Sequence, residues 1–268
     1  MIFDTHTHYD DEAYDADREA LIEGLPAAGV GRICNIGSTM QAVRDSVRLA
    51  AKYPYVFAAA GIHPDEVGEL NAETFAELKE LALSPKVVAV GEIGLDYHGY
   101  EIYENKPDKE SQKYWFQKQL ELAIGLGKPV VIHSRNAAQD TLEMMQQAKA
   151  DGLSCAVIHC YSYSWEMAKQ YLDMGFYIGI GGVLTYEGQK KLTKTVMEMP
   201  LDRLLLETAC PYLTPVPVRK ERERNYSAYL TFVRDRIAEI RGISPEEVEA
   251  ATFENACRFY RIPDRINE

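Results

Sequence analysis

The sequence predicts an α/β fold of the TIM-type (β/α)8 barrel class, and three observations lead there. Eight apolar runs bounded by Gly, Pro and charge alternate with longer amphipathic stretches. The runs read as near-continuous Val, Ile and Ala, the pattern of parallel strands covered on both faces, rather than the strict alternation of a half-solvated sheet. The length, 268 residues, suits a barrel of about 250 residues folding as one unit. An open doubly wound sheet shares the alternation, but no G-x-G-x-x-G follows the first run. No internal repeat, low-complexity tract or linker divides the chain, so residues 1–268 are expected to form a single domain.

In chain order, the predicted strands are IFDTHTH (2–8), RICNIGS (32–38), VFAAAGIH (56–63), VVAVGEIGLD (87–96), PVVIHSR (129–135), CAVIHCY (155–161), YIGIGGVLT (177–185) and RLLLETA (203–209). Most gaps hold a plausible helix. After the eighth strand, a Pro-rich basic loop, PVPVRKERERN, leads to an amphipathic helix around 226–241. A last helix begins at ISPEEVEAA, with Ser244 as N-cap, Pro245 at the first helical position and Glu247 completing a capping box.

Composition narrows the function classes. Hydrophobic residues at 46% and charged residues at 26% are those of a globular protein with a substantial core. The formal charge of -12 gives no general attraction to a polyanion, so any phosphate substrate must be held locally. Five cysteines, Cys34, Cys155, Cys160, Cys210 and Cys257, form an odd set without C-x-x-C spacing, which disfavours a disulfide framework or zinc knuckle and fits a reducing cytoplasm. The start MIFDTHTHYD lacks a basic and apolar leader, and no run approaches eighteen apolar residues, so neither secretion nor membrane insertion is expected.

Chemistry-bearing residues recur at one place in each unit. His6 and His8, two apart on a strand, project from one face and can meet one ion. Alone, such a pair is equally compatible with ordinary structural histidines. Glu92, His133 and His159 fall late in the fourth, fifth and sixth strands, placing four of the six histidines at carboxyl ends. In a β/α barrel those ends form the catalytic rim. Imidazole nitrogens and carboxylate oxygens suit Zn, Mn, Fe and related divalent ions, and Glu92 is the natural bridge between two of them. Metal-assisted hydrolysis is then the default reaction class.

The set FDTHTHYD, GIHP, GEIGLDY, PVVIHSR, IHCYS and LLLETACPYL, with the tail RERNYSAYL, resembles the TatD family of metal-dependent deoxyribonucleases within the amidohydrolase-like superfamily, in order and across nearly the whole chain. The resemblance implies a TIM-type barrel, one or two divalent ions (Mg, Mn or Zn), and phosphodiester cleavage in DNA, often from the 3′ end of a single strand. By motif, His6, His8 and Glu92 correspond to the ligands of one metal, and Glu92, His133 and His159 to those of a second. The family's last strand reads Glu-Thr-Asp, whereas this chain has Glu207, Thr208 and Ala209. The acid that would bind metal and steer the attacking water is missing, so an impaired form is expected. Glu207 is expected to lie too deep along the strand to substitute, and Cys210 to face away.

His63, in GIHP, is expected to donate to a substrate phosphate, and Arg135 to make a bidentate phosphate contact; a loop residue and a surface ion pair are the alternatives. Tyr97 and His98 are weaker candidates. Of the basic loop carrying Arg219, Lys220, Arg222 and Arg224, one or two side chains at most are expected to touch phosphate. Tyr161 or Tyr163 could stack on a base. No obligate protein partner is evident. Two other functions compete: hydrolysis of an amide or lactone, as in the broader superfamily, and a non-catalytic protein that binds metal and nucleic-acid ends.

Overall fold

The computed structural model describes residues 1–99, 105–221 and 224–263. Eight strands form one sheet ordered β1 to β8 as in the chain, the order expected of consecutive right-handed βα units. Two compact units can be recognised, one of residues 1–35 with the chain from His159 onward, the other of residues 36–158.

The first unit contains β1 (Ile2–Thr7), α1 (Arg18–Gly24), β2 (Val30–Ile36), α6 (Trp165–Asp173), β7 (Tyr177–Ile180), α7 (Lys190–Glu198), β8 (Leu204–Leu206), α8 (Leu230–Arg241) and α9 (Pro245–Tyr260). β1 runs parallel to β2, with Phe3 opposite Arg32 and Thr7 opposite Asn35. β7 runs parallel to β8, Ile178 opposite Leu204 through Ile180 opposite Leu206. Every residue of β1 and β8 is buried, as continuous apolar strands require. The final helix supplies much of the cover. Ser244 and Glu247 close the capping box, Phe253 and Tyr260 pack on Phe3 with ring centroids 6.0 and 5.7 Å away, and the Tyr260 hydroxyl donates to the Thr5 carbonyl at 2.6 Å.

The second unit contains α2 (Met40–Lys52), β3 (Val56–Ala59), α3 (Ala72–Ala82), β4 (Val87–Asp96), α4 (Lys109–Leu126), β5 (Val130–Arg135), α5 (Ala138–Ala150) and β6 (Ala156–Ile158). β4, β5 and β6 run parallel, with Ile93 opposite Ile132, Gly94 opposite His133 and Ile132 opposite Ile158. Gly94 has φ 147°, and a Cβ there would stand 2.0 Å from the His133 carbonyl oxygen. Only glycine lets β4 approach β5 at that point.

Several strands stop earlier than the sequence suggests. β3 ends at Ala59 rather than 63, β6 at Ile158 rather than 161, β7 at Ile180 rather than 185, and β8 at Leu206 rather than 209. Two of these ends turn through left-handed backbone, Cys160 at φ 46° and Ala209 at φ 52°, and residues Gly182–Thr185 form a 3-10 turn. The residues that carry chemistry therefore sit just beyond the ladders. The helix expected from 226 begins at Leu230, after a 3-10 turn over Ser227–Tyr229.

Candidate metal centre

In the first unit, β1 delivers His6 and His8 to one face, as the two-residue period dictates. Their Nε2 atoms stand 3.1 Å apart. The His6 ring stacks on His159, just after β6, with centroids 4.1 Å apart and planes 15° from parallel. Glu207 joins them: its Oε1 lies 3.8 Å from His159 Nδ1, and one ligand atom from each of His6, His159 and Glu207 falls within 4.8 Å of the others. All three side chains are buried.

Strand periodicity predicts that Glu207 lies too deep to substitute for the acid at 209. The ladder ends at Leu206, and the carboxylate turns toward the two imidazoles while accepting the Cys160 N–H. A Cβ at Gly179 on β7 would lie 2.5 Å from Glu207 Oε2; the missing side chain makes the cradle in which the carboxylate rests. Cys210 is buried and its carbonyl accepts the His8 N–H at 2.9 Å, so its role is to fix the backbone of His8.

Ala209 is buried next to this cluster. Its N–H donates to the His6 carbonyl at 2.9 Å, and its φ of 52° is a conformation that Asp and Asn adopt more readily than Ala. Thr208 is held by Asp4, whose Oδ2 accepts the Thr208 hydroxyl at 2.7 Å and whose Oδ1 accepts its N–H at 3.0 Å. Burial pushes the Asp4 carboxyl up to about 6, the Thr208 bonds only partly opposing it.

In the second unit, Glu92 and His133 meet, Oε1 to Nδ1 at 2.8 Å. The other ring nitrogen of His133 bonds Asp96 Oδ2 at 2.9 Å. Burial alone would lower the His133 pKa, but the two carboxylates outweigh it and lift it to about 9. Burial would likewise raise Asp96, yet the bonds from His133 and Lys106 hold it well below the usual carboxylate range. Lys106 Nζ lies 2.7 Å from Asp65 and 2.9 Å from Asp96, so the His63, Asp65 and Asp96 group already has its cation.

His63 caps the 3-10 turn Pro64–Glu69, its Nδ1 accepting the Asp65 N–H at 3.2 Å. In a neutral imidazole this leaves the proton on Nε2, a donor pointing toward Glu92 Oε1 at 3.8 Å. The ring meets His133 edge-on, centroids 4.3 Å apart. One ligand atom from each of His63, Glu92 and His133 falls within 4.8 Å of the others.

The donor sets fit a divalent ion of the Zn or Mn type: each joins imidazole nitrogens to a carboxylate, and each carboxylate is held in a preformed place. Asp96 orients His133 from behind, a sequence signal available in GEIGLDY but not drawn from it.

The secondary candidates separate clearly. Arg135 ends β5 exposed, and no ion pair to it is present among the described residues. Tyr97 donates to Asp140 at 2.7 Å, and the His98 N–H donates to Asp96 at 2.8 Å, both structural ties. Arg219 lies over the Tyr186 ring at 4.0 Å, and Arg224 pairs with Asp17 at 2.6 Å. Arg222 lies outside the described residues, as does the side chain of Lys220. Tyr161 is buried with its hydroxyl on the Ser164 carbonyl, which removes it as a stacking surface, and Tyr163 meets its edge at 6.0 Å.

Comparison with known proteins agrees with this geometry. The profile of the family described as TatD related DNase matches residues 3–261. The uncharacterized metal-dependent hydrolase YabD of Bacillus subtilis is 38% identical over 262 residues, covering 98% of this chain and 100% of YabD. A Citrobacter rodentium protein named 3'-5' ssDNA/RNA exonuclease TatD is 32% identical, covering 97% of this chain and 98% of its own. Among solved structures, YJJV, a TatD homolog from Escherichia coli K12, superposes with a TM-score of 0.89 at 28% identity over 98% of both chains. The chain therefore belongs to the TatD related DNase family, metal-dependent hydrolases built on a TIM-type (β/α)8 barrel.

Proposed function

We propose that residues 1–268 act as one metal-dependent phosphodiesterase domain on DNA, working from the 3′ end of single strands, in a form slowed by Ala209. The observation that carries the reading is the placement of residue 209. Two groups of imidazoles and carboxylates could each hold a metal ion, and the residue bonded to the His6 carbonyl beside one of them has a methyl group where the resemblance implies a carboxylate. A relative that is 32% identical is named a 3'-5' ssDNA/RNA exonuclease, which supports the substrate class.

In this reading, as the family resemblance implies, His6, His8, Glu92, His133 and His159 would be the residues that hold the divalent ions. Glu207 adds a buried carboxylate to the His6 and His159 side. Bound ions would supply Lewis acidity to the phosphoryl oxygens and lower the pKa of water toward neutrality. The remaining work falls to the chain. His63 Nε2–H donates to a non-bridging phosphate oxygen, Arg135 contacts the next phosphate, and Asp96 keeps the His133 tautomer fixed. Nothing at 209 can orient water or accept its proton, a loss costing about 10² to 10⁴ in rate.

The test is Ala209→Asp assayed beside the unsubstituted chain on single-stranded oligonucleotides, cyclic amides and lactones with Mg²⁺, Mn²⁺ or Zn²⁺. Oligonucleotide shortening that rises about 10²-fold or more on restoring the acid is expected. Equal rates would refute the meaning given to Ala209, and turnover of the amide or lactone alone would refute the nuclease reading.

A further inference from the structure

Five large apolar side chains are exposed among the described residues: Met1, Leu83, Tyr114, Met197 and Tyr212. Met1 begins the chain, Leu83 caps α3, Tyr114 lies on α4 and Met197 on α7. Tyr212 alone follows the carboxyl end of a strand, β8, three residues after Ala209, and it is 59% exposed. Its ring centroid stands 6.4 Å from that of His8, with the planes at 65°.

Hydrogen bonds fix the backbone of Tyr212 on both sides and tie down its hydroxyl. The Tyr212 N–H donates to the Ala209 carbonyl at 3.0 Å. Its carbonyl accepts Asn225 Nδ2 at 2.7 Å, and the same amide reaches the Thr208 carbonyl at 3.2 Å. The phenol donates to Asp11 Oδ2 at 2.8 Å, and Asp11 is itself fixed, its N–H on the His8 carbonyl at 3.1 Å and its Oδ1 accepting the Ala13 N–H at 2.8 Å. Ordering an aromatic side chain that contributes little to the core costs conformational entropy with no packing return. The arrangement makes physical sense as a preorganised flat surface beside His8.

The surroundings select what lies on it. Asp10, Asp11 and Glu12 make the neighbouring segment acidic, so a charged grip on a nucleic-acid strand is unavailable there and a neutral contact is required. Base stacking on an aromatic ring is neutral and tolerant of sequence. Of the two tyrosines that the sequence offers as stacking partners, Tyr161 is buried and Tyr163 half-buried.

We propose that Tyr212 is the stacking platform for the terminal base of a single-stranded nucleic acid whose last phosphodiester lies at the His6–His8 cluster. The inference rests on the nuclease reading above and adds the contact that seats the strand end. Because Ala209 slows turnover, the chain as it stands can be used to measure binding. Fluorescence anisotropy with Mn²⁺ would compare a 5′-labelled DNA oligonucleotide with the same oligonucleotide lacking its 3′-terminal base, on the unsubstituted chain, Tyr212→Ala and Tyr212→Trp.

Loss of the terminal base is expected to weaken binding to the unsubstituted chain about tenfold. Tyr212→Ala should bind both oligonucleotides with that weaker affinity, and Tyr212→Trp should keep the distinction. Equal binding of the two oligonucleotides by the unsubstituted chain would overturn the stacking role while leaving the nuclease reading in place; this arm requires no variant to fold. Absence of binding to either oligonucleotide would sink the nucleic-acid reading and the platform with it.

Discussion

At position 209 two physical facts coincide: a buried methyl beside His6, and a backbone at φ 52° that costs an L-residue other than Asn, Asp or Gly roughly 1–2 kcal/mol. Ala209→Asp should therefore be no less stable in thermal melts with metal present, besides gaining activity. Asp4 offers a pH test at the same scale. Its folded pKa, about 6, is above the ordinary carboxylate value of 3.8 because burial disfavours the charge. The folded state thus binds the extra proton between pH 4 and 6; that stabilisation is full below the lower value and is lost as pH rises through the upper one. Between pH 4 and 7 in chelator, the unsubstituted chain should lose about 2–3 kcal/mol more than Asp4→Asn in denaturant titrations. A parallel pH profile for the two would contradict the assignment. Residue types announced the histidines and Glu92 in the sequence. The meeting of Glu207 with His6 and His159 was not legible because strand periodicity cannot foresee where a ladder stops, and Asp96 was not singled out because it bonds another side chain, His133, rather than standing alone at a strand end.

The strand ends show why element existence was legible and element boundaries were not. Apolar runs mark buried ladders, but His159 and Cys160 lie just beyond one, where the His159 ring stacks on His6 and the Cys160 N–H donates to Glu207. β7 carries a test of this positioning. Gly179→Ala would drive a methyl into the Glu207 carboxylate, with an expected loss of about 1–3 kcal/mol in stability and weaker Mn²⁺ binding in equilibrium dialysis; unchanged metal affinity would separate Glu207 from the centre. The segment after β4 carries another. Lys106→Met strips Asp96 of its ammonium partner, and metal affinity is expected to fall about 10- to 100-fold as His133 loses its orientation. For α9, whose capping box was readable from ISPEEVEAA, Ser244→Ala should cost about 1 kcal/mol in chemical unfolding.

For the whole molecule, the eight-unit alternation was enough to give the fold class, because parallel strands covered by helices have few other ways to close. No helix among the described residues is long and apolar enough to cross a membrane. The charge of -12 means that long-range attraction contributes nothing to capturing a polyanion, so substrate binding should depend on the local cations and vanish in EDTA. Metal should also stabilise the fold, by about 2.7 kcal/mol when the ion is present at a hundred times its dissociation constant. The most direct measurement is anomalous diffraction from crystals grown with Mn²⁺ or Zn²⁺. The account predicts anomalous peaks within coordination distance of His6 and His8 and of Glu92 and His133; ordered crystals with those side chains in place and no ion beside them at saturating metal would contradict it.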